Sequence, residues 1–250
     1  MSVLRPHLFR HSPRFDVSST RMIRPKTTLF MLMSVDGKIS TGDTDAMDFD
    51  RDLKTIAGVK EGLHQYYNLE QQTDLVSLNT GRVMAKIGVN DRTEVPSRIP
   101  VSFVIIDNEP HLTAHGVKYL SQWVKTLYLV TTNPSHPALS TQYDNVTVIP
   151  CDGSIDFANL FNRLRTESGV ERMTVQSGGT LNAVLIRTGL IDHLSIVVAP
   201  VVVGGKATAS LVDGESLHTI GDLSALRPLK LIKADMLDDS YLHVQYDVQN

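Results

Sequence analysis

Short apolar runs alternate along this chain with segments in which apolar residues recur every three or four positions. The β-rich runs fall at residues 27–33, 75–78, 101–106, 126–131, 146–149, 173–176 and 194–199, and they predict strands. Helical spacing fills most of the intervals. It predicts a helix over residues 52–71 and a short one opened by Thr80-Gly81-Arg82 that carries Val83, Met84 and Ile87. A third covers residues 117–124, with Leu120 and Trp123 on one face, and a fourth runs Phe157–Thr166 with Leu160, Phe161 and Leu164 inward. A fifth follows Gly179, where Leu181, Val184, Leu185 and Leu190 share a face. The rule changes at the end, where residues 229–236 and 241–248 read as two strands joined by Leu237-Asp238-Asp239-Ser240. Repeated strand–helix alternation implies an α/β fold. Its sheet is mostly parallel with helices on both faces, and a C-terminal antiparallel hairpin closes one edge.

In such a sheet ligands bind at the carboxyl ends of the strands, in the crevice formed by the loops that follow them. Those loops here are residues 34–37, 79–82, 131–133 and 177–179, and they form the expected site. Ser177-Gly178-Gly179-Thr180 is the most telling of the four. A helix that opens directly after glycines offers unpaired backbone N–H groups and the positive end of its dipole, which suits a diphosphate. The plainer alternative is a glycine turn that only lets strand and helix pack closely.

Composition narrows the class. A chain of 250 residues that is 42% hydrophobic and 20% charged can bury one large core, and residues 25–250 are read as a single domain. The formal net charge of -3 argues against a nucleic-acid partner that needs a strongly basic surface. No apolar run reaches the roughly eighteen residues of a membrane span. The single cysteine, Cys151, excludes an internal disulfide and fits a reducing, cytoplasmic setting. Residues 1–24 differ from the rest, with five arginines against one acid, Asp16. They read as a flexible extension outside the fold, with an organelle transit peptide as the other reading. The nine histidines show no metal-ligand spacing, so no metal is expected.

MSVDGKIS at residues 33–40, the NTGR turn at residues 79–82 and VQSGGTLNAVLIRTGLIDHLSIVVAPVVVGG at residues 175–205 together resemble the pyrimidine reductase family of riboflavin biosynthesis. That family has a dihydrofolate-reductase-like fold, and the likeness spans about residues 24–248. It implies an NADPH-dependent enzyme, usually a homodimer, that converts the ribosyl group of a phosphoribosylaminopyrimidine to a ribityl chain. The His-x-Glu and Pro-Cys-x-x-Cys signature of the zinc deaminases does not occur in the sequence, so no deaminase is expected here.

The resemblance also assigns residues. Ser177, Gly178, Gly179, Thr180 and Leu181 would hold the cofactor diphosphate, with Gly81 bringing a second helix N-terminus to it. Arg82 would read the 2′-phosphate of NADPH, the alternative being a solvated first-turn arginine. Thr131, Thr132 and Asn133 would meet the adenosine ribose or its phosphate, the alternative being a plain polar turn before Pro134. A phosphorylated pyrimidine also needs cations, and Lys38, Lys86 and the Gly205 loop lie at or near the expected mouth, the alternative being solvated surface lysines. Three positions depart from the family pattern. Phe30 stands where a lysine is common, Ala85-Lys86-Ile87-Gly88 where Asp-Asp-Pro is common, and Gln176 where a glutamate is common.

Reduction of an opened ribosylamine requires a hydride at the imine carbon and a proton at its nitrogen. Asp36 is the expected acid, with Ser34 and Gln176 orienting the substrate. The alternative for Asp36-Gly37 is a turn in which the aspartate bonds its own backbone. Two other functions stay open: a protein that keeps the NADP(H) cradle without turnover, and a reductase of another heterocycle such as a dihydrofolate.

Overall fold

The computed structural model describes residues 23–250. The expected extension therefore lies outside the described residues except at its end, where Arg24 is bound to the domain. Its guanidinium donates to both carboxylate oxygens of Asp192, at 2.7 and 2.9 Å.

Nine strands form one sheet in the order β5-β4-β3-β2-β6-β1-β7-β9-β8. Strands β1 (Lys26–Ser34), β2 (Val76–Thr80), β3 (Ser102–Ile106), β4 (Leu127–Thr131), β5 (Val146–Pro150), β6 (Arg172–Val175) and β7 (His193–Ala199) are mutually parallel. The hairpin of β8 (Leu229–Met236) and β9 (Leu242–Val248) adds the antiparallel edge, with β9 paired to β7. The expected mostly parallel sheet with a terminal hairpin is thus what the chain builds. Helices α3 (Gly81–Lys86), α4 (Ala114–Trp123), α5 (Phe157–Thr166) and α6 (Gly179–Arg187) occupy the crossovers. Among the described residues no helix is long and apolar enough to cross a membrane.

The helix expected over residues 52–71 is two helices, α1 (Phe49–Leu53) and α2 (His64–Glu70), separated by turns. Gly58 interrupts it with φ of +85°, a conformation that a helix interior excludes. Gly62 then lets the Tyr241 ring pack against the backbone, since a Cβ there would lie 2.6 Å from the ring. Helical spacing was present, but tertiary packing used it in two pieces.

The two-residue strand period decides where the sheet is dry and where it is not. One face carries Leu29, Leu78, Val104, Val130, Val175 and Ile196, all buried under α5 and α6. On the other face Phe103, Ile105, Leu127 and Leu129 pack with α4. Farther along that same face Phe30, Leu32, Val197 and Ala199 pack with α1, α2 and Tyr241. Between these two apolar patches lie β2 and β6, whose residues on this face are Ser77, Asn79, Thr174 and Gln176. The apolar layer is therefore split by a polar seam two strands wide. A cleft opens over its upper end, lined by Asn79 and Gln176.

Candidate active site

The cleft has a volume of about 770 Å³. Its floor includes Asn79 and Gln176, one wall is Tyr66, Tyr67 and Glu70 of α2, and the other includes Met84, Phe103 and Trp123. The turn at residues 177–181 lies at its rim, and Ala207, Ala209 and Asp213 from the segment after β7 close over it.

The polar floor is hydrogen-bonded in one direction. Asn79 Nδ2 donates to Ser77 Oγ at 2.9 Å, Ser77 Oγ donates to Gln176 Oε1 at 3.1 Å, and Gln176 Nε2 donates to Glu70 Oε1 at 2.6 Å. Gln176 Nε2 also lies 3.4 Å from the Tyr66 hydroxyl. Burial pushes the Glu70 pKa above the usual carboxylate range, the hydrogen bond from Gln176 opposes it, and the charge of Asp50 adds to the rise. Burial likewise pushes the Tyr66 phenol up, and the Tyr67 phenol up to about 12. Tyr66 lies flat on Phe30, with ring centroids 5.1 Å apart. The position at which the family commonly has a lysine is thus part of the apolar packing under α2.

Among the expected cofactor residues, Ser177, Gly178, Gly179, Thr180, Leu181 and Arg82 line the cleft. The two glycines differ in what they face. A Cβ on Gly178 would meet nothing within 4 Å, whereas one on Gly179 would lie 2.2 Å from Ser210 O and 2.4 Å from Asp213 Oδ2. Gly178 is therefore the open side of the turn, and Gly179 is the glycine that the neighbouring segment requires. That segment is tied down by Asp213 N donating to Gly179 O at 3.0 Å. The N-terminus of α6 has no side-chain cap, so its first N–H groups remain available to an anion. The N-terminus of α3 is different, since Thr80 Oγ1 accepts from Val83 N at 3.4 Å and caps it. Gly81 there turns its back to the cleft, because a Cβ would lie 2.2 Å from the buried Asp107 carboxylate. Arg82 is paired with Asp45 at 2.8 Å, with both side chains 62% exposed.

Of the other expected residues, Thr131, Thr132, Asn133, Lys38 and Gly205 sit outside the cleft lining. Thr131 Oγ1 accepts from Asn133 N at 3.0 Å, Thr132 N donates to Asn108 Oδ1 at 3.1 Å, and Asn133 Oδ1 accepts from Ser135 N at 2.8 Å. These three residues build a turn at the end of β4. Lys38 Nζ donates to Thr208 O at 2.9 Å and Ser210 Oγ at 3.1 Å, and Gly205 makes the preceding turn with φ of +82°. Lys86 does line the cleft, where it donates to Met47 O at 2.7 Å and pairs with Asp48 at 3.3 Å.

Of the three side chains expected to do the chemistry, Gln176 is the one in the cleft lining. Ser34 is fully buried and donates to Asp36 Oδ1 at 2.6 Å. The Asp36 carboxylate also accepts from Val203 N at 3.1 Å and Gly204 N at 2.6 Å. Those bonds, led by the one from Ser34, hold its pKa down at about 2. Asp36 is consequently ionised near neutrality and has no proton to give. It ties the loop after β1 to the loop after β7. Asp36→Asn is expected to speed hydrogen exchange at the Val203 and Gly204 amides while turnover falls less than about tenfold.

Asn79 lies in the expected loop at residues 79–82, but residue spacing did not single out Glu70 or Tyr66. A signal was there: Tyr66 and Glu70 are four apart on one helix face, and Asn79 and Gln176 share a strand-face parity with Ser77.

A mostly parallel nine-stranded sheet with an antiparallel C-terminal edge, a cleft at its carboxyl end and an uncapped helix N-terminus at the rim fit a dihydrofolate-reductase-like α/β protein. Residues 25–240 match the RibD C-terminal domain, and the chain belongs to that family. It is 27% identical over 231 residues to the 2,5-diamino-6-ribosylamino-4(3H)-pyrimidinone 5′-phosphate reductase of Methanothermobacter thermautotrophicus, covering 91% of this chain and 100% of that protein. The protein of the same name from Archaeoglobus fulgidus is 25% identical over 203 residues, covering 78% of this chain and 89% of its own. Among solved structures, Acinetobacter baumannii RibD superposes with a TM-score of 0.62 at 14% identity, covering 91% of this chain and 59% of that longer one. The Saccharomyces cerevisiae riboflavin biosynthesis reductase Rib7 does so with a TM-score of 0.57 at 18% identity, covering 91% of each chain. The superpositions speak for the fold. Reductases of this family draw on a nicotinamide coenzyme.

Proposed function

We propose that this chain uses NADPH to reduce the ribosylamino group of a phosphoribosylaminopyrimidine to the ribityl chain. The diamino-pyrimidinone form named for its archaeal relatives is the first substrate to test. The observation that carries the reading is that one cleft combines an uncapped α6 N-terminus with a hydrogen-bonded polar floor. The first supports a diphosphate at Gly178 and the N–H groups that follow it. The second offers the donors and acceptors that orient a polar heterocycle.

The chain's own residues divide the work. When bound, the coenzyme supplies the hydride. Gly178 leaves room for its phosphates, and the N–H groups at the start of α6 neutralise them. Gln176 is held with its amide fixed, since Oε1 is committed to Ser77 and Nε2 to Glu70, and it orients what sits above it. Phe103, Trp123 and Met84 exclude water from one side. Ser34, Asp36 and Lys38 support the loops from outside. The function belongs to a homodimer in this reading, which the apolar outer strand supports: Leu231 is 54% and Met236 88% exposed there.

Arg82 carries the preference for NADPH over NADH. Its exposed pairing with Asp45 is of the kind worth roughly 0–1 kcal/mol, so a 2′-phosphate can displace it. Arg82→Ala is expected to narrow the NADPH-to-NADH ratio of kcat/KM by about tenfold, and an unaltered ratio removes Arg82 from that role.

The reading is tested by mixing protein, NADPH and the ribosylaminopyrimidine phosphate and following nicotinamide absorbance. Loss of absorbance with a product two hydrogens heavier is expected. Tight NADPH binding without oxidation across a panel of such pyrimidines would instead mark a chain that keeps the cradle and has lost turnover.

A further inference from the structure

The donor chain across the cleft floor ends on a carboxylate that, among the described residues, has no ion-pair partner. Asn79, Ser77 and Gln176 each pass a hydrogen bond onward until Gln176 Nε2 reaches Glu70 Oε1. Glu70 Oε2 accepts no hydrogen bond among the described residues, although Glu70 lines the cleft. Lys54, Lys86 and Arg172 are paired with other acids: Lys54 with Asp50 at 3.1 Å, Lys86 with Asp48 at 3.3 Å and Arg172 with Asp74 at 2.8 Å. The titratable groups that act on Glu70 are the Asp50 carboxylate of α1, which repels a second negative charge, and the Tyr66 phenol of its own helix, while the Tyr67 phenol is bound to Asp50. A half-buried acid that lines a ligand space, with an acidic neighbour, no ion-pair partner among the described residues and one oxygen without a hydrogen bond, is built to carry a proton.

We propose that Glu70 is the proton donor of the reduction, aimed into the cleft through Oε2 and held there by Gln176. This inference rests on the reductase reading above. As the hydride from the coenzyme forms the new C–H bond at C1′ of the opened ribosylamine, the π pair of the C=N bond moves onto nitrogen. The Glu70 O–H bond breaks and its proton forms the new N–H bond. The coenzyme leaves oxidised by two electrons, the substrate is reduced by two, and Glu70 remains as a carboxylate that regains a proton from water entering the cleft. Gln176 is suited to both states, because its N–H donates to Oε1 whether or not Oε2 carries the proton. The upward shift of the Glu70 pKa fits this role, since a general acid works best when it titrates near the working pH.

The test uses the full chain with NADPH and 2,5-diamino-6-ribosylamino-4(3H)-pyrimidinone 5′-phosphate. Glu70→Gln is nearly isosteric, so its melting temperature should be close to that of the wild type. Its kcat should fall about 100-fold, with NADPH affinity kept within about twofold. An acid must be protonated to act, so wild-type kcat should be full below the Glu70 pKa and decline as pH rises through it. In Glu70→Gln that limb should disappear, and Glu70→Asp should restore part of the rate and the limb with it. A Glu70→Gln enzyme with kcat within about threefold of wild type and an unchanged limb overturns the proposal. A second readout needs no turnover: infrared difference spectra of the resting protein across the same pH range should show a carboxylic-acid carbonyl band that Glu70→Gln removes. Identical spectra in wild type and variant overturn Glu70 as the acid even if the substrate assignment fails. An inactive wild type that keeps the Glu70 band refutes the reductase reading and, with it, the proton transfer.

Discussion

Replacing Asp107 by alanine is expected to destabilise the domain by about 3–5 kcal/mol, the cost typical of removing one member of a buried, hydrogen-bonded polar cluster. Asp107 is 1% exposed. Its carboxylate accepts from His136 Nε2 at 3.0 Å, His111 Nδ1 at 2.9 Å, His111 N at 3.2 Å and Leu112 N at 3.0 Å. Ala138 N donates to His136 Nδ1 at 3.1 Å, which fixes the tautomer whose Nε2–H points at Asp107. Alanine would leave the His136 ring and the Leu112 N–H buried without acceptors. Gly81 would also lose the group it packs on, so the start of α3 should loosen. At roughly 2–4 °C per kcal/mol for a chain of this size, the melting temperature should drop by about 10 °C. A drop of less than about 2 °C would show that the cluster contributes little.

The acid dependence has a definite sign. Burial pushes the Asp107 pKa up, but the bonds from His136, Leu112 and His111 outweigh it and the net shift is downward. A folded-state pKa below the unfolded value of about 3.9 means the contribution is present above that pH and is lost as pH falls below it. The stability gap between wild type and Asp107→Ala should therefore narrow on acidification.

The second large effect separates two adjacent glycines. Gly178 has φ of -72° and ψ of 159°, which any residue adopts, and its Cβ would face open space. Gly178→Val should fold normally and put its methyl groups beside the free N–H groups of α6. NADPH affinity should fall about 100-fold, equivalent to roughly 2.7 kcal/mol. Gly179→Val should behave differently, because its Cβ would overlap Ser210 O at 2.2 Å and Asp213 Oδ2 at 2.4 Å. It should lose stability by about 1–3 kcal/mol or more through displacement of that segment. Calorimetry with NADPH and a thermal melt on both variants distinguish these outcomes. A folded Gly178→Val with wild-type affinity would remove the diphosphate from this turn.

Much of the architecture was legible because strand and helix periods are local. The bounds of α5 came directly from the inward spacing of Leu160, Phe161 and Leu164. The hairpin came from the change of rule after residue 228. Over residues 52–71 the chain departs from its helical spacing at Gly58 and Gly62, where a positive φ and the ring of Tyr241, just before β9, decide the path. Side-chain direction in turns was hardest. Asp36 and Lys38 sit in a loop at the ligand edge, yet they reach Val203, Gly204, Thr208 and Ser210, more than 160 residues away in sequence. Spacing cannot say whether a turn residue faces a ligand or a distant loop. The polar seam was legible in principle, since Ser77, Asn79, Thr174 and Gln176 break apolar strands on one parity. Its meaning needed the strand order, which sets β2 beside β6.

Hydride transfer itself is tested most directly with NADPH deuterated at C4 of the nicotinamide, each epimer in turn. One epimer should yield a ribitylaminopyrimidine phosphate that carries a single deuterium at C1′ by mass spectrometry. If neither epimer passes its label to the product, and the label stays on the coenzyme while the substrate is recovered unreduced, this cleft does not perform the reduction assigned to it.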